Sequence, residues 1–303
     1  MPARVRYERL TTESVNPRSA RLDRLSARAI ARLMNQEDRI AVAAVGRVAP
    51  AIGAAVDAIV AALAAGGRLF FVGAGTSGRL GVLEAAECPP TFGTRPGQVQ
   101  AIMAGGRRSV FRSREGAEDD GRAAARAVRA RVRRGDAVVG VSASGVTPFV
   151  RAALVTARRR GAATVLVQCS AARTRTAARI VIRPIPGPEV LAGSTRLKAG
   201  TATKLVLNTL TTASMARLGK MYGNRMIDLQ PRSAKLRARA ERLVAEIAGV
   251  RPARARRALV EARGRVRLAI VVARRNLPAD AAARALRAAG GSLRSVLERR
   301  PSR

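Results

Sequence analysis

Two apolar runs of equal length constrain the fold more than any other feature of the chain. LFFVG (69–73) and AVVGV (137–141) each pass directly into a turn of glycine and small hydroxylated residues, GAGTSG at 73–78 and SASGVTP at 142–148. A helical pattern follows each turn. Short runs that are apolar at every position suit strands covered on both faces, and strands alternating with helices build a parallel sheet with helices on either side. VQAIMAGG (99–106), ATVLVQC (163–169) and IVIRPI (180–185) supply three more strands. Helices are expected within 18–65, with Pro50 as a break or first-turn residue, and after the first glycine turn as far as a stop at Pro89-Pro90. Others are expected over 122–134, 149–159 and 197–221. The fold class is therefore α/β, a doubly wound parallel sheet sandwiched by helices. An N-terminal arm with helices occupies 1–49, the α/β domain 50–228 and a small helical C-terminal domain 229–303. The last is rich in arginine and alanine, with Gly249, Pro252 and Pro278 as breaks.

In such sheets a ligand binds beyond the carboxyl ends of the strands, near the point where strand order reverses. Both glycine turns fall at strand ends. A turn leading into a helix offers unpaired backbone N–H groups and the positive end of the helix dipole, which favour phosphate. Gly73, Gly75 and Gly78 match the G-x-G-x-x-G spacing of a dinucleotide site. Such a site also calls for an acid at the end of the second strand, and AIMAGG has none. Thr76 and Ser77 between the glycines, and a second serine-rich turn, fit one compact phosphomonoester better.

Composition narrows the chemistry. The 303 residues contain no histidine, which excludes Ser-His-Asp and Cys-His nucleophiles and nearly all zinc sites. Acid–base work near neutral pH then falls to carboxylates, lysine, tyrosine or cysteine. Two cysteines, Cys88 and Cys169, make no disulfide framework, and Cys88 reads as packing. The net charge is +37, yet only four of the 57 cations are lysine and there is no tryptophan. The excess reads as arginine-biased surface composition rather than a specific nucleic-acid site, which would want a stacking platform. No membrane-length apolar run and no apolar leader are visible, so a cytoplasmic protein is expected.

Two strand–Ser/Gly turn units resemble the sugar isomerase (SIS) domain, a phosphosugar-binding fold. Longer strings are similar to the N-acetylmuramic acid 6-phosphate etherase family: TTESVNPRSARLD (11–23), MNQED (34–38), GAGTSGRLGVLEAAECPPTFG (73–93), EGAEDD (115–120), SASGVTPFV (142–150) and GPEVLAGSTRLKAGTATKLVLNTLTTASMARLGKMYGNRMIDL (187–229). The resemblance runs in order along nearly the whole chain. ECPPTFG and GSTRLKAGTATK are its most specific parts. The vertebrate glucokinase regulatory protein shares the sugar-phosphate fold but acts as a binding regulator.

The resemblance implies cleavage of the D-lactyl ether at C3 of the sugar by elimination and then addition of water, without metal or redox cofactor. Glu87 takes the acid role and Glu118 the base role, with Glu84 and Glu115 as rivals. An acid of this kind is expected to be buried, which raises its pKa. Phosphate binding carries over to Thr76, Ser77, Ser142, Ser144 and Thr147, with Gly75 and Gly145 allowing close backbone approach. Ser194, Thr195 and Lys198 are candidates for the sugar or carboxylate end, and Lys204 stands out because lysine is rare. Val146 sits where the family commonly has a polar or basic residue. The implied partner is a small-molecule sugar phosphate. The implied assembly is a homodimer in which the TTESVNP arm reaches the partner's pocket. A non-catalytic phosphosugar-sensing regulator and an aldose–ketose isomerase are the alternatives.

Overall fold

The computed structural model describes residues 10–172, 175–229, 231 and 233–298. The chain divides into two compact units. One comprises residues up to Ala86 together with Pro96–Ser214, and the other comprises Glu87–Arg95 together with residues from Met215 onward. The first nine residues of the expected arm lie outside the described residues.

The first unit is built on five strands, β1 (Leu69–Gly73), β2 (Val99–Met103), β3 (Ala137–Val141), β4 (Ala163–Val167) and β5 (Ile180–Ile182). All neighbours are parallel, in the order β2-β1-β3-β4-β5. Every residue of β1 and β3 is buried, as their unbroken apolar sequence requires of central strands. The helices that begin in the unit are α1 (Ala27–Gly46), α2 (Ala49–Ala64), α3 (Gly75–Phe92), α4 (Gly121–Arg131), α5 (Pro148–Arg159) and α6 (Lys198–Arg217), of which α3 and α6 end in the other unit. Pro50 lies in the first turn of α2, where a missing N–H removes no helical bond. Phe70, Val72, Val138 and Leu166 of the sheet pack with Val128 of α4 and Phe149 and Leu154 of α5. Gly140 makes the α5 contact feasible: a Cβ there would stand 2.8 Å from Val150 Cγ1.

Two expectations fail locally. Pro89-Pro90 does not stop α3, which runs to Phe92. A proline φ suits a helix, and the carbonyls that lose donors, those of Ala85 and Ala86, belong to half-buried and exposed residues. Gly93 N then closes the last turn on Pro89 O at 3.0 Å. Nor does α6 reach Met221. It ends at Arg217, and Met221–Tyr222 (β6) pairs antiparallel with Arg225–Met226 (β7) around Gly223-Asn224, a two-residue hairpin turn.

The second unit continues with α7 (Ala234–Ala248), α8 (Pro252–Glu261), α9 (Val266–Arg275), α10 (Ala279–Ala288) and α11 (Leu293–Glu298). Gly249 caps α7 in the left-handed region, Pro252 opens α8 and Pro278 precedes α10, so the three breaks fall where the sequence puts them. Its core gathers Ile227, Leu243, Val244, Ile270, Val271 and Val296. Among the described residues no single helix is long and apolar enough to cross a membrane.

Candidate functional site

Strand order reverses at β1, whose register places Gly73 opposite Val141 of β3. The two glycine turns therefore leave adjacent strands side by side, at the switch point where an open α/β sheet has a crevice.

The first turn is tighter than its sequence suggests. α3 begins at Gly75 (φ +51°), so Thr76 and Ser77 belong to its first turn. Gly78 N donates to Ala74 O at 3.1 Å, which leaves the N–H groups of Gly75, Thr76 and Ser77 ahead of the first helical bond. Gly78 serves close packing: a Cβ there would fall 2.6 Å from Gly73 O. The second turn is held by its own hydroxyls. Ser142 Oγ lies 2.8 Å from Thr147 Oγ1 and 3.4 Å from Ser144 Oγ, and it accepts from Gly145 N at 3.0 Å. Gly145 has φ +77°, and a Cβ on it would meet Gln168 Oε1 at 2.6 Å.

A cavity of about 310 Å³ lies between these turns and brings together Thr76, Ser77, Ser144, Thr147, Thr195 and Glu118. Gly75 lines it as well. Ser142 does not: it is buried behind the turn and organises it. Among the described residues, no lysine or arginine belongs to the lining. An anion here meets hydroxyls, backbone N–H groups and a helix N-terminus.

EGAEDD separates into distinct roles. Asp120 Oδ1 accepts Ala123 N at 2.7 Å and caps α4. Glu118 O accepts Phe149 N at 2.9 Å, which fixes the segment to the first turn of α5. The exposed Glu118 side chain lines both the main cavity and a smaller one of about 140 Å³. Glu115 lines only the smaller one, with Arg79. Between the two rivals, the geometry favours Glu118.

Glu84 is a structural carboxylate. It is buried, with Oε1 3.0 Å from Lys204 Nζ and Oε2 accepting Thr211 Oγ1 at 2.7 Å. Lys204 also donates to Asn208. Glu87, further along α3, falls in the second unit and is not part of the cavity lining. It is exposed, so the burial expected of an acid is not supplied by this chain.

Lys198 is outside the cavity lining and pairs with a buried carboxylate. Its ammonium is buried and stands 2.5 Å from Glu37 Oε2. Glu37 also accepts Asn16 Nδ2 at 2.9 Å and pairs with Arg18 at 2.9 Å. Burial pushes the Glu37 carboxyl up, but the bonds from Lys198 and Asn16 and the nearby charges outweigh it and hold the group below its usual range. Glu189 accepts the backbone N–H groups of Lys198 and Ala199 at 2.8 and 2.9 Å, capping α6. Burial leaves Glu189 above its usual range despite those bonds. Ser194, beside Thr195, is half-buried and outside the cavity lining. Cys88 is buried. Cys169 is also buried, which pushes its thiol up to about 12.

Sequence reasoning sent the TTESVNP arm to a partner's pocket and did not single out its Thr12 and Glu13, or Asp119, all in the cavity lining. The arm thus reaches the pocket of its own chain. Gly193 N donates to Thr12 O at 3.2 Å, a contact 181 residues apart in sequence that no local periodicity announces.

Comparison with known proteins shows the family and the fold. Residues 51–158 match the model of the glucokinase regulatory protein N-terminal SIS domain. An N-acetylmuramic acid 6-phosphate etherase of Gloeobacter violaceus is 52% identical over 294 residues, 96% of this chain and 95% of the relative. One from Geobacillus thermodenitrificans is 47% identical over 96% of this chain and 99% of its own length. Among solved structures, a phosphoheptose isomerase from Francisella tularensis superposes with a TM-score of 0.50 at 18% identity. The match covers 63% of this chain and 99% of that one, a likeness of fold alone.

Proposed function

The chain belongs to the N-acetylmuramic acid 6-phosphate etherase family, and from that premise we propose how its residues carry out the reaction. It is a carbon–oxygen lyase that converts N-acetylmuramic acid 6-phosphate and water into N-acetylglucosamine 6-phosphate and D-lactate. An alkoxide is a poor leaving group, so direct displacement is slow. The open-chain sugar offers a faster route, because the C1 aldehyde makes the C2 proton acidic. Glu118 removes that proton and Glu87 protonates the departing lactyl oxygen, which leaves an unsaturated aldehyde. Water activated by Glu87 then adds at C3, and C2 regains a proton. The organic steps need two acid–base groups and no electron transfer.

The 6-phosphate is assigned to the first turn of α3 and to the second glycine turn, with Thr76, Ser77, Ser144 and Thr147 as direct ligands and Ser142 as the residue that shapes the second turn. Thr195 faces the sugar. The observation that carries this reading is the cavity in which both hydroxyl-bearing turns and Glu118 meet. Glu87 enters through its place in the string AECPPT. Both proposed acid–base residues are exposed in the single chain, and a reaction that must admit water only at its second step calls for cover. A second copy of the chain is assigned that task, in a homodimer. A cytoplasmic location follows from the substrate, since a sugar phosphate dianion does not cross a bilayer unaided.

The test is D-lactate release from N-acetylmuramic acid 6-phosphate. The wild type is expected to release it, with Glu87→Gln and Glu118→Gln each slower by about a hundredfold or more. Tight sugar-phosphate binding without release would instead make the chain a sensor.

A further inference from the structure

Two carboxylates in the cavity lining, Glu13 of the arm and Asp119, are left over when Glu118 has been assigned. Glu13 lines the cavity with the phosphate turns. Its Oε1 accepts Thr12 Oγ1 at 3.3 Å, and its Oε2 stands over Gly193, 3.3 Å from where a Cβ would be. Gly193 has φ +76°, so a side chain there would be strained as well as crowding the carboxylate. Cations outnumber acids 57 to 20 in this chain, and Glu37, Glu84 and Asp136 all hold one. Among the described residues, Glu13 makes no ion pair.

A carboxylate without an ion pair among the described residues, in a cavity shaped for an anion, is not a phosphate ligand; it repels phosphate. An ionised carboxylate has only acceptor positions to offer. The groups of a sugar phosphate that complement it are the hydroxyls and the acetamido N–H. We propose that Glu13 is a specificity-determining residue that binds these neutral donors of the sugar, a role that rests on the sugar-phosphate reading above. The cavity then has two unlike ends, hydroxyl and N–H donors for the phosphate and a carboxylate acceptor for the sugar, so the ligand enters in one orientation.

The arm is anchored well enough to place such a group. Thr12 O takes Gly193 N on one side of Glu13. On the other, Asn16 donates to Glu37, which Lys198 neutralises in a site almost without water. Two fixed points within five residues hold the carboxylate where a free terminus would not.

The experiment measures calorimetric binding of N-acetylglucosamine 6-phosphate and of inorganic phosphate to the full-length wild type, Glu13→Ala and Glu13→Gln, with D-lactate release followed alongside. Glu13→Ala is expected to lose sugar-phosphate affinity by about ten- to a hundredfold, the range for hydrogen bonds to a charged group. Its affinity for inorganic phosphate stays the same or rises. Glu13→Gln keeps an acceptor oxygen and recovers part of the loss. Equal losses for both ligands, or none for the sugar phosphate, overturn the proposal. Normal D-lactate release by the wild type with an unchanged affinity ratio in Glu13→Ala would remove Glu13 from the site and leave the reaction standing. Failure of the wild type to bind the sugar phosphate would bring down both readings.

Discussion

Replacing Lys198 by methionine removes one charge from a pair that water barely reaches. The two side chains are each 2% exposed. Methionine keeps most of the apolar stem, so the main change is an orphaned carboxylate at Glu37. That carboxylate still has Asn16 Nδ2 and the half-exposed Arg18, each at 2.9 Å. Breaking a buried pair by removing one partner costs about 3–5 kcal/mol, and the surviving contacts put this case near the lower end, at about 3 kcal/mol. The double variant Lys198→Met with Glu37→Leu leaves no buried charge. Its cost should fall well short of the sum of the two single changes, with a coupling of about 1–3 kcal/mol. Urea unfolding followed by far-UV circular dichroism reads these differences as shifts of the midpoint at constant slope. A Lys198→Met chain as stable as wild type, with a raised KM instead, would return Lys198 to the substrate and refute the structural role. Simple additivity in the double variant would refute the pairing.

Three further outcomes follow from the same geometry. Gly145→Ala should destabilise the chain by about 1–3 kcal/mol and raise KM, because φ +77° is strained for alanine and the methyl would meet Gln168 at 2.6 Å; an unperturbed KM would separate this turn from the phosphate. The Glu37 carboxyl is held below its usual range, so its contribution is full above the ordinary value near 4.5 and disappears as pH falls through the lowered folded value. The stability gap between wild type and Glu37→Gln should therefore narrow on acidification below that value, and a gap that widens there would reverse the sign. Cys169, with its thiol near 12, should resist iodoacetamide at pH 8 until the chain unfolds, as mass spectrometry of the labelled peptide would show; rapid native labelling would mean that the site opens.

The sheet was legible because its central strands β1 and β3 are apolar at every position and its turns carry glycine where close approach demands it. The pairing of the two turns was legible too, since both follow central strands. What escaped was the detailed geometry of the turns together with the contacts distant in sequence. Ser142 and Ser144 are two residues apart in one string, yet only Ser144 faces the cavity, because the turn at Gly145 folds the first hydroxyl back onto Thr147. Lysine's rarity was a true signal with another meaning. Lys198, Lys204 and Lys220 all serve ion pairs, with Glu37, Glu84 and Asp228, where a compact ammonium fits a confined carboxylate. Pro89-Pro90 read as a stop because propensity weighs single residues, whereas the helix carries through them and closes at Gly93. The Gly223-Asn224 pair, just beyond the stretch 197–221 expected to be helical, was a hairpin signal that went unread.

The most direct test of the elimination is isotopic. The wild type would turn over N-acetylmuramic acid 6-phosphate in water enriched in deuterium and oxygen-18, and the recovered sugar phosphate would be analysed by NMR and mass spectrometry. Deuterium is expected at C2 and oxygen-18 at C3, with Glu118→Gln incorporating both about a hundredfold or more slowly than wild type. A product that retains its original C2 proton, or oxygen-18 found in the lactate instead of the sugar, would contradict the elimination.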